Sequence, residues 1–341
     1  MTLTDKTVTD RTVTPQSDEG RAAPSPAWVR GGSWLRTQYP LLILIVLVVF
    51  AAVMSDAFLS TRNLENLVLQ MSVIGIVALA QFIVVVSGGI DISVGSVLGL
   101  ACVLGAGLFD GSSVIVSVLV ALAVGAALGA VNGFLVAFRG LEPFIVTLGM
   151  LALARGLVYA YTEGVPVRPS AESFTVLGTA TVAGVPVLGV IWIAIAAGMA
   201  FLLRRTVFGR RVYAVGSKRE AAHASGVPVR GTLMGVYVIA GLLVGLGGFL
   251  LASRVGAGTP SAGNLMELDA IAAVVIGGAR LNGGQGRVFG AVVGTVIFGV
   301  ITNLLVLLNV STFLQDAFRG GLILLAVALA TIGRSSATRG R

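Results

Sequence analysis

The chain has 341 residues, 56% of them hydrophobic and only 11% charged, where soluble globular proteins carry about 25% charged residues. Its mean hydropathy of +0.98 leaves too little polar surface to cover a water-soluble body, so a soluble enzyme is excluded and lipid is the solvent for most of the chain. The net charge of +8 does not point to nucleic acid, because the Lys and Arg residues fall in gaps between apolar runs rather than in one solvent-facing footprint.

Residues 1–38 are rich in Thr, Ser, Pro and charge, have no apolar period, and are predicted to be a disordered cytoplasmic tail. Residues 39–332 read as a transmembrane domain and 333–341 as a second cytoplasmic tail. Within the domain the apolar segments run Tyr39–Phe58, Leu67–Val86, Ile92–Phe109, Val114–Phe138, Pro143–Tyr161, Val185–Leu203, Thr232–Ala252, Leu268–Gly278, Val288–Leu308 and Ala317–Ile332. Most approach the roughly 20 residues that cross a bilayer core. The segment Leu268–Gly278 is too short and runs into Gly277-Gly278-Ala279-Arg280-Leu281-Asn282-Gly283-Gly284. It reads as a half-helix or broken helix, which lipid tolerates only where protein buries it. The expected fold is an all-α polytopic membrane protein of about ten transmembrane segments.

The basic residues assign an orientation. With the N-terminus cytoplasmic and the segments alternating, the tails, Arg139, the loop 204–231, Arg280 and Arg287 lie inside. Only Arg62, Arg168, Arg254 and Arg319 fall outside. The positive-inside rule favours that topology, with both termini cytoplasmic and the chain in the inner membrane. Arg155 stands in the outer part of its span, where a long side chain can snorkel to the interface.

Packing is also legible. Gly125, Gly129 and Gly133 recur at four-residue spacing, as do Gly241 and Gly245, then Gly290 and Gly294. Such stripes let helix backbones approach closely. Phosphate-binding loops, zinc-protease motifs and serine-hydrolase elbows are absent, so no catalytic site is expected. Cys102 and His223 are the single cysteine and histidine, which speaks against a zinc site; neither metal nor cofactor is expected. Few carboxylates fall within spans, which disfavours a proton relay.

Three places carry candidate function. In the loop 204–231, Lys218–Ser225 is predicted to form a short helix that Gly226 stops, with Pro228 beyond it. Its small residues Ala221, Ala222 and Ala224 suit the groove of a partner, while a plain solvated basic loop is the bland alternative. The turn Gly88-Gly89-Ile90-Asp91-Ile92-Ser93 joins the second and third spans. Asp91 or Ser93 can cap the next helix, or the broken backbone and Asp91 can line a permeation path. Gln81, Asn132, Thr147 and Asn303 lie within spans, where they either bond between helices or offer polar groups to a passing solute.

These residues resemble a known family. Glu220-Ala221-Ala222 followed by Gly226 is similar to the coupling motif of ABC importer permeases, and Gly88-Gly89-Ile90-Asp91-Ile92-Ser93-Val94-Gly95-Ser96 to the signature of the ribose-, xylose- and galactose-type monosaccharide permeases. Asn132-Gly133, Pro143–Gly149, Arg155-Gly156, Tyr213–Gly216, Leu268–Gly278 and Gly283-Gly284-Gln285-Gly286-Arg287 follow in the same order, over about residues 40–332. Gln81 and Ala279-Arg280 depart from the pattern. The resemblance implies a type II-like importer permease without its own ATPase site. It implies as partners a cytoplasmic ABC ATPase, an extracytoplasmic sugar-binding protein and a second permease subunit in a homodimer, all in a lipid bilayer. The rival class is a gradient-driven secondary transporter or facilitator of a small polar solute.

Overall fold

The computed structural model describes residues 27–108, 113–170, 172–322 and 324. It is built almost wholly of helices: α1 (Ala27–Met54), α2 (Thr61–Val86), α3 (Val94–Gly107), α4 (Val114–Ala137), α5 (Pro143–Thr162), the short α6 (Val176–Thr179), α7 (Val187–Arg205), α8 (Val207–Ser217), α9 (Arg219–Ala224), α10 (Val229–Val255), α11 (Met266–Ile276) and α12 (Val288–Leu307). Residues 312–322 are helical again. A small antiparallel hairpin, β1 (Thr181–Val182) with β2 (Val185–Pro186), precedes α7.

Six of these helices, α2, α4, α5, α7, α10 and α12, are long and apolar enough to cross a membrane. The apolar run opening at Tyr39 belongs to a helix that starts earlier, at Ala27, and carries Pro40 inside it. A helix extends more readily than it nucleates, and no proline stands between Ala27 and Tyr39 to stop it. The predicted tail residues 1–26 lie outside the described residues, as does the C-terminal tail 333–341.

Helix α2 forms the axis of the body. Its C-terminal half is continuously buried from Ile76 to Val86, with α7, α10, α11 and α12 packed around it. An all-round apolar helix of this kind is an interior element rather than a lipid-facing one. By contrast α4 and α5 are largely unburied, with Ile115, Leu119, Ile145 and Leu153 exposed, as lipid contact allows.

The glycine stripes set the closest packing, as their spacing predicts. A Cβ built on Gly125 would meet the Gly241 carbonyl, one on Gly129 the Tyr237 carbonyl, and one on Gly245 the Ala121 carbonyl. Helices α4 and α10 therefore touch backbone to backbone. Gly290 and Gly294 do the same for α12, against Gly277 and Ala273 at the end of α11.

The short segment is broken as expected. Helix α11 has 11 residues, and the chain before it is irregular. Residues 258–263 lie along α3 in the reverse direction, Gly258 against Val103, Ala262 against Gly99 and Gly263 against Gly95. Their carbonyls are served by Arg155, whose Nη1 donates to Pro260 O at 3.1 Å and to Ala262 O at 3.0 Å. The Arg155 Nη1 is thus engaged by backbone that no helix satisfies.

Candidate functional site

The turn between α2 and α3 holds most of the candidate residues. Helix α2 is capped by Ser87, whose hydroxyl bonds back to Val84 O at 2.7 Å, and Gly88 takes φ of 84°. That is a left-handed conformation at which a glycine costs least. Gly89 lies under Tyr237, whose hydroxyl would stand 2.9 Å from any added Cβ.

Asp91 organises the next residues. Its Oδ1 accepts from the Ser93 backbone N–H at 2.8 Å and from the Ser93 hydroxyl at 2.6 Å, the local bonding by which Asp closes a turn on the residue two ahead. Asn132, on α4, donates from Nδ2 to Ser93 Oγ at 3.1 Å. A chain of donors thus runs from Asn132 through Ser93 to the buried carboxylate. Of the two capping residues expected, Asp91 holds an N–H at the helix start. Ser93 occupies the N-cap position but makes no side-chain cap bond, because its hydroxyl is engaged by Asp91 and Asn132.

Thr147 secures the same turn from α5. Its hydroxyl donates to Pro143 O at 2.9 Å, one helical turn back, and accepts from the Ile92 N–H at 3.2 Å. A cavity of about 10 Å³ lies beside the network, lined by Asp91, Ser93, Val97, Asn132, Gly241 and Val244 among others. That is room for about one water molecule, and Asn132 Oδ1 is buried there without a protein partner. Asp91, Ser93, Asn132 and Thr147 therefore belong to one network centred on Gly88–Ser93.

Gln81 and Asn303 do not join it. Gln81 sits on the buried face of α2, about 10 Å of helix before Gly88 at 1.5 Å per residue. Neither its Oε1 nor its Nε2 finds a partner. Asn303, on α12, pairs with Asn63 at the opposite end of α2: Asn303 Nδ2 donates to Asn63 Oδ1 at 2.8 Å, and Asn63 Nδ2 donates in return to Asn303 Oδ1 at 3.0 Å. Those bonds make it a link between helices.

The loop 204–231 folds into two helices. The short helix expected at Lys218–Ser225 forms as α9 (Arg219–Ala224), and Gly226 ends it at φ of 77°. The Gly226 and Val227 N–H groups bond to His223 O and Ala222 O, both at 3.0 Å, a glycine-terminated helix end. Ala222 turns inward against Ala137, Val215 and Leu233, while Glu220, Ala221 and Ala224 face out. Before it, α8 buries Gly209, Val212, Val215 and Gly216 and leaves Arg210 and Arg211 exposed. The basic residues obscured this amphipathic helix in the sequence, though the apolar spacing Val212, Val215 was its trace.

Tyr213 opens the run Tyr213–Gly216 on α8. Its hydroxyl donates to Gly286 O at 3.0 Å. Burial raises the phenol above its ordinary pKa, while the Arg204 and Arg287 charges act the other way, and the group stays a donor. Tyr237 is a further buried residue that sequence reasoning missed; its one signal was a tyrosine within the glycine-rich apolar run of α10.

Comparison with known proteins agrees with this architecture. Residues 63–327 match the family model described as branched-chain amino acid transport system / permease component. The chain is 40% identical over 293 residues to the ribose import permease protein RbsC of Bacillus subtilis (strain 168), covering 85% of this chain and 91% of that protein. It is 38% identical over 311 residues to the L-arabinose ABC transporter permease protein AraH of Azospirillum brasilense, covering 90% and 91%. The xylose transport system permease protein XylH of Escherichia coli (strain K12) is 36% identical over 349 aligned positions, covering 84% and 88%. No solved structure matches the chain.

Proposed function

The chain belongs to the family of branched-chain amino acid transport system permease components, and on that footing we propose that it is the membrane-spanning subunit of an ATP-driven importer for a monosaccharide of the ribose, arabinose, xylose or galactose kind. The sugar class is supported by its ribose, arabinose and xylose permease relatives. The subunit performs no covalent chemistry. Its energy comes from a cytoplasmic ABC ATPase, its substrate from an extracytoplasmic binding protein, and its pore from a second copy of the chain.

In this reading the transmembrane domain is residues 39–332, with about ten segments. These are α1 to α5, α7, α10, the broken stretch ending in α11, α12, and the apolar run Ala317–Ile332. Both termini face the cytoplasm, so α8, α9 and the turns Gly88–Ser93 and 277–287 lie on the cytoplasmic side. ATP-driven closure of the ATPases moves α9; the turn at Asp91 and the spans it joins follow, and the subunits rock between inward- and outward-open states.

The observation that carries the proposal is α9 itself. It is a short helix outside the apolar body with Glu220 and Ala221 exposed, continuous through Lys218 with a helix that reaches the Gly88–Ser93 turn. The test is a pull-down from detergent-solubilised membranes of the native chain and of one with Glu220-Ala221-Ala222 scrambled, followed by uptake of radiolabelled D-ribose, L-arabinose and D-xylose. An ATPase should come down with the native chain and be lost with the scrambled one. Uptake that survives scrambling and follows an ion gradient would overturn the assignment.

A further inference from the structure

Four glycines from three separate segments meet at the end of α2. Gly88 opens the turn to Asp91, Gly216 is the penultimate residue of α8, and Gly283 and Gly284 lie in the loop between α11 and α12. The Gly284 N–H donates to the last carbonyl of α2, Val86 O, at 2.9 Å. A Cβ on Gly216 would run into that same carbonyl and stand 2.8 Å from Gly284 N. A Cβ on Gly283 would lie 2.6 Å from Gly216 O and 2.7 Å from Gly88 Cα. At Gly216, Gly283 and Gly284 nothing but glycine fits without moving backbone.

The crossing has a lever on one side and the polar network on the other. One residue, Lys218, separates α8 from α9, so Gly216 stands at the root of the exposed helix. On the other side, the Gly88 turn leads to Asp91, which holds Ser93 at the start of α3. Backbone packed on backbone has no side-chain rotamers to absorb a displacement, and packed interiors transmit strain. Tyr213, one turn before Gly216, ties α8 to the same loop by its bond to Gly286 O.

We propose that Gly216, bearing on Gly88 and Gly283, is the positioning residue through which movement of α9 reaches the Asp91 turn, with the Tyr213 hydroxyl holding α8 in register. This rests on the permease function proposed above. It adds the residues that convert docking at α9 into movement of the turn.

The test is the ratio of sugar imported to ATP hydrolysed. It uses proteoliposomes holding the full chain with its co-purified ATPase and binding protein, and whichever of D-ribose, L-arabinose and D-xylose is taken up. Gly216→Ala should still bring down the ATPase but lower the ratio by about fivefold or more, the lower end of couplings between linked sites. Tyr213→Phe, which removes one hydrogen bond, should lower it by about threefold. Gly198→Ala, on α7 at a position with nothing within 4 Å, should leave it unchanged. A native ratio in Gly216→Ala overturns the proposal. Should that variant fail to accumulate, a native ratio in Tyr213→Phe overturns it instead. A native chain that recruits no ATPase removes the permease assignment and this inference with it, an outcome visible before any variant is compared.

Discussion

Polar residues within the apolar helices divide by whether their bonds close on themselves. Asn303 and Asn63 exchange two amide bonds, which hold α12 to α2. Asn132 gives one bond to Ser93 and keeps an unpartnered Oδ1 beside a small cavity. Removing the first kind breaks both interhelical amide bonds and leaves Asn63 only its bond to Phe58 O, at a cost of about 1 kcal/mol for a bond between membrane helices. Asn303→Ala should therefore lower the melting temperature in detergent while leaving the preference among D-ribose, L-arabinose and D-xylose unchanged. Asn132→Ala should reduce uptake as well, because it loosens the Asp91–Ser93 turn. A shift in sugar preference with unchanged melting would return Asn303 to the permeation path. None of this was legible from residue type. Both asparagines stand in apolar runs, and only the registers of α2 against α12 and of α3 against α4 tell a closed pair from an open one.

At the scale of elements, the glycine stripes were readable because four-residue spacing places them on one helix face, and the structure puts them where α4 crosses α10 and α11 crosses α12. The termination of α9 at Gly226 was readable for the same local reason. Helix α8 and the path of residues 258–263 along α3 were not. The first is masked by its arginines, and the second has no repeat of its own and is held by Arg155 from a distant helix. One substitution should have opposite signs at two glycines. Gly241→Ala drives a methyl into the Gly125 carbonyl, and overpacking of this kind costs about 1–3 kcal/mol. Gly198→Ala, on α7 with nothing within 4 Å, removes a residue about 1 kcal/mol poorer than Ala in a helix. Melting curves of the two variants in detergent should shift down and up respectively. A neutral Gly241→Ala would mean that α4 and α10 are not held together by backbone approach.

For the whole molecule, orientation decides whether the elements can act together. The turn Gly88–Ser93, α8 and the loop 277–287 meet at one end of α2, with α9 following α8, and the Asn63–Asn303 pair lies at the other. The density of arginine around α8 favours the first end as cytoplasmic, where an ATPase can reach α9. The hairpin β1–β2 precedes α7, and α7 leads to α8, so the orientation proposed above would put the hairpin outside. Single cysteines test this directly. Val182 is 65% exposed on the hairpin and Ala221 is exposed on α9, while the native Cys102 is fully buried and should stay silent. A membrane-impermeant maleimide should label Val182→Cys in intact spheroplasts, and Ala221→Cys only in inside-out vesicles. The reverse pattern would place α9 outside the cell, beyond the reach of any ATPase. The helices would stand, but an importer driven from the cytoplasm through Gly216 would not.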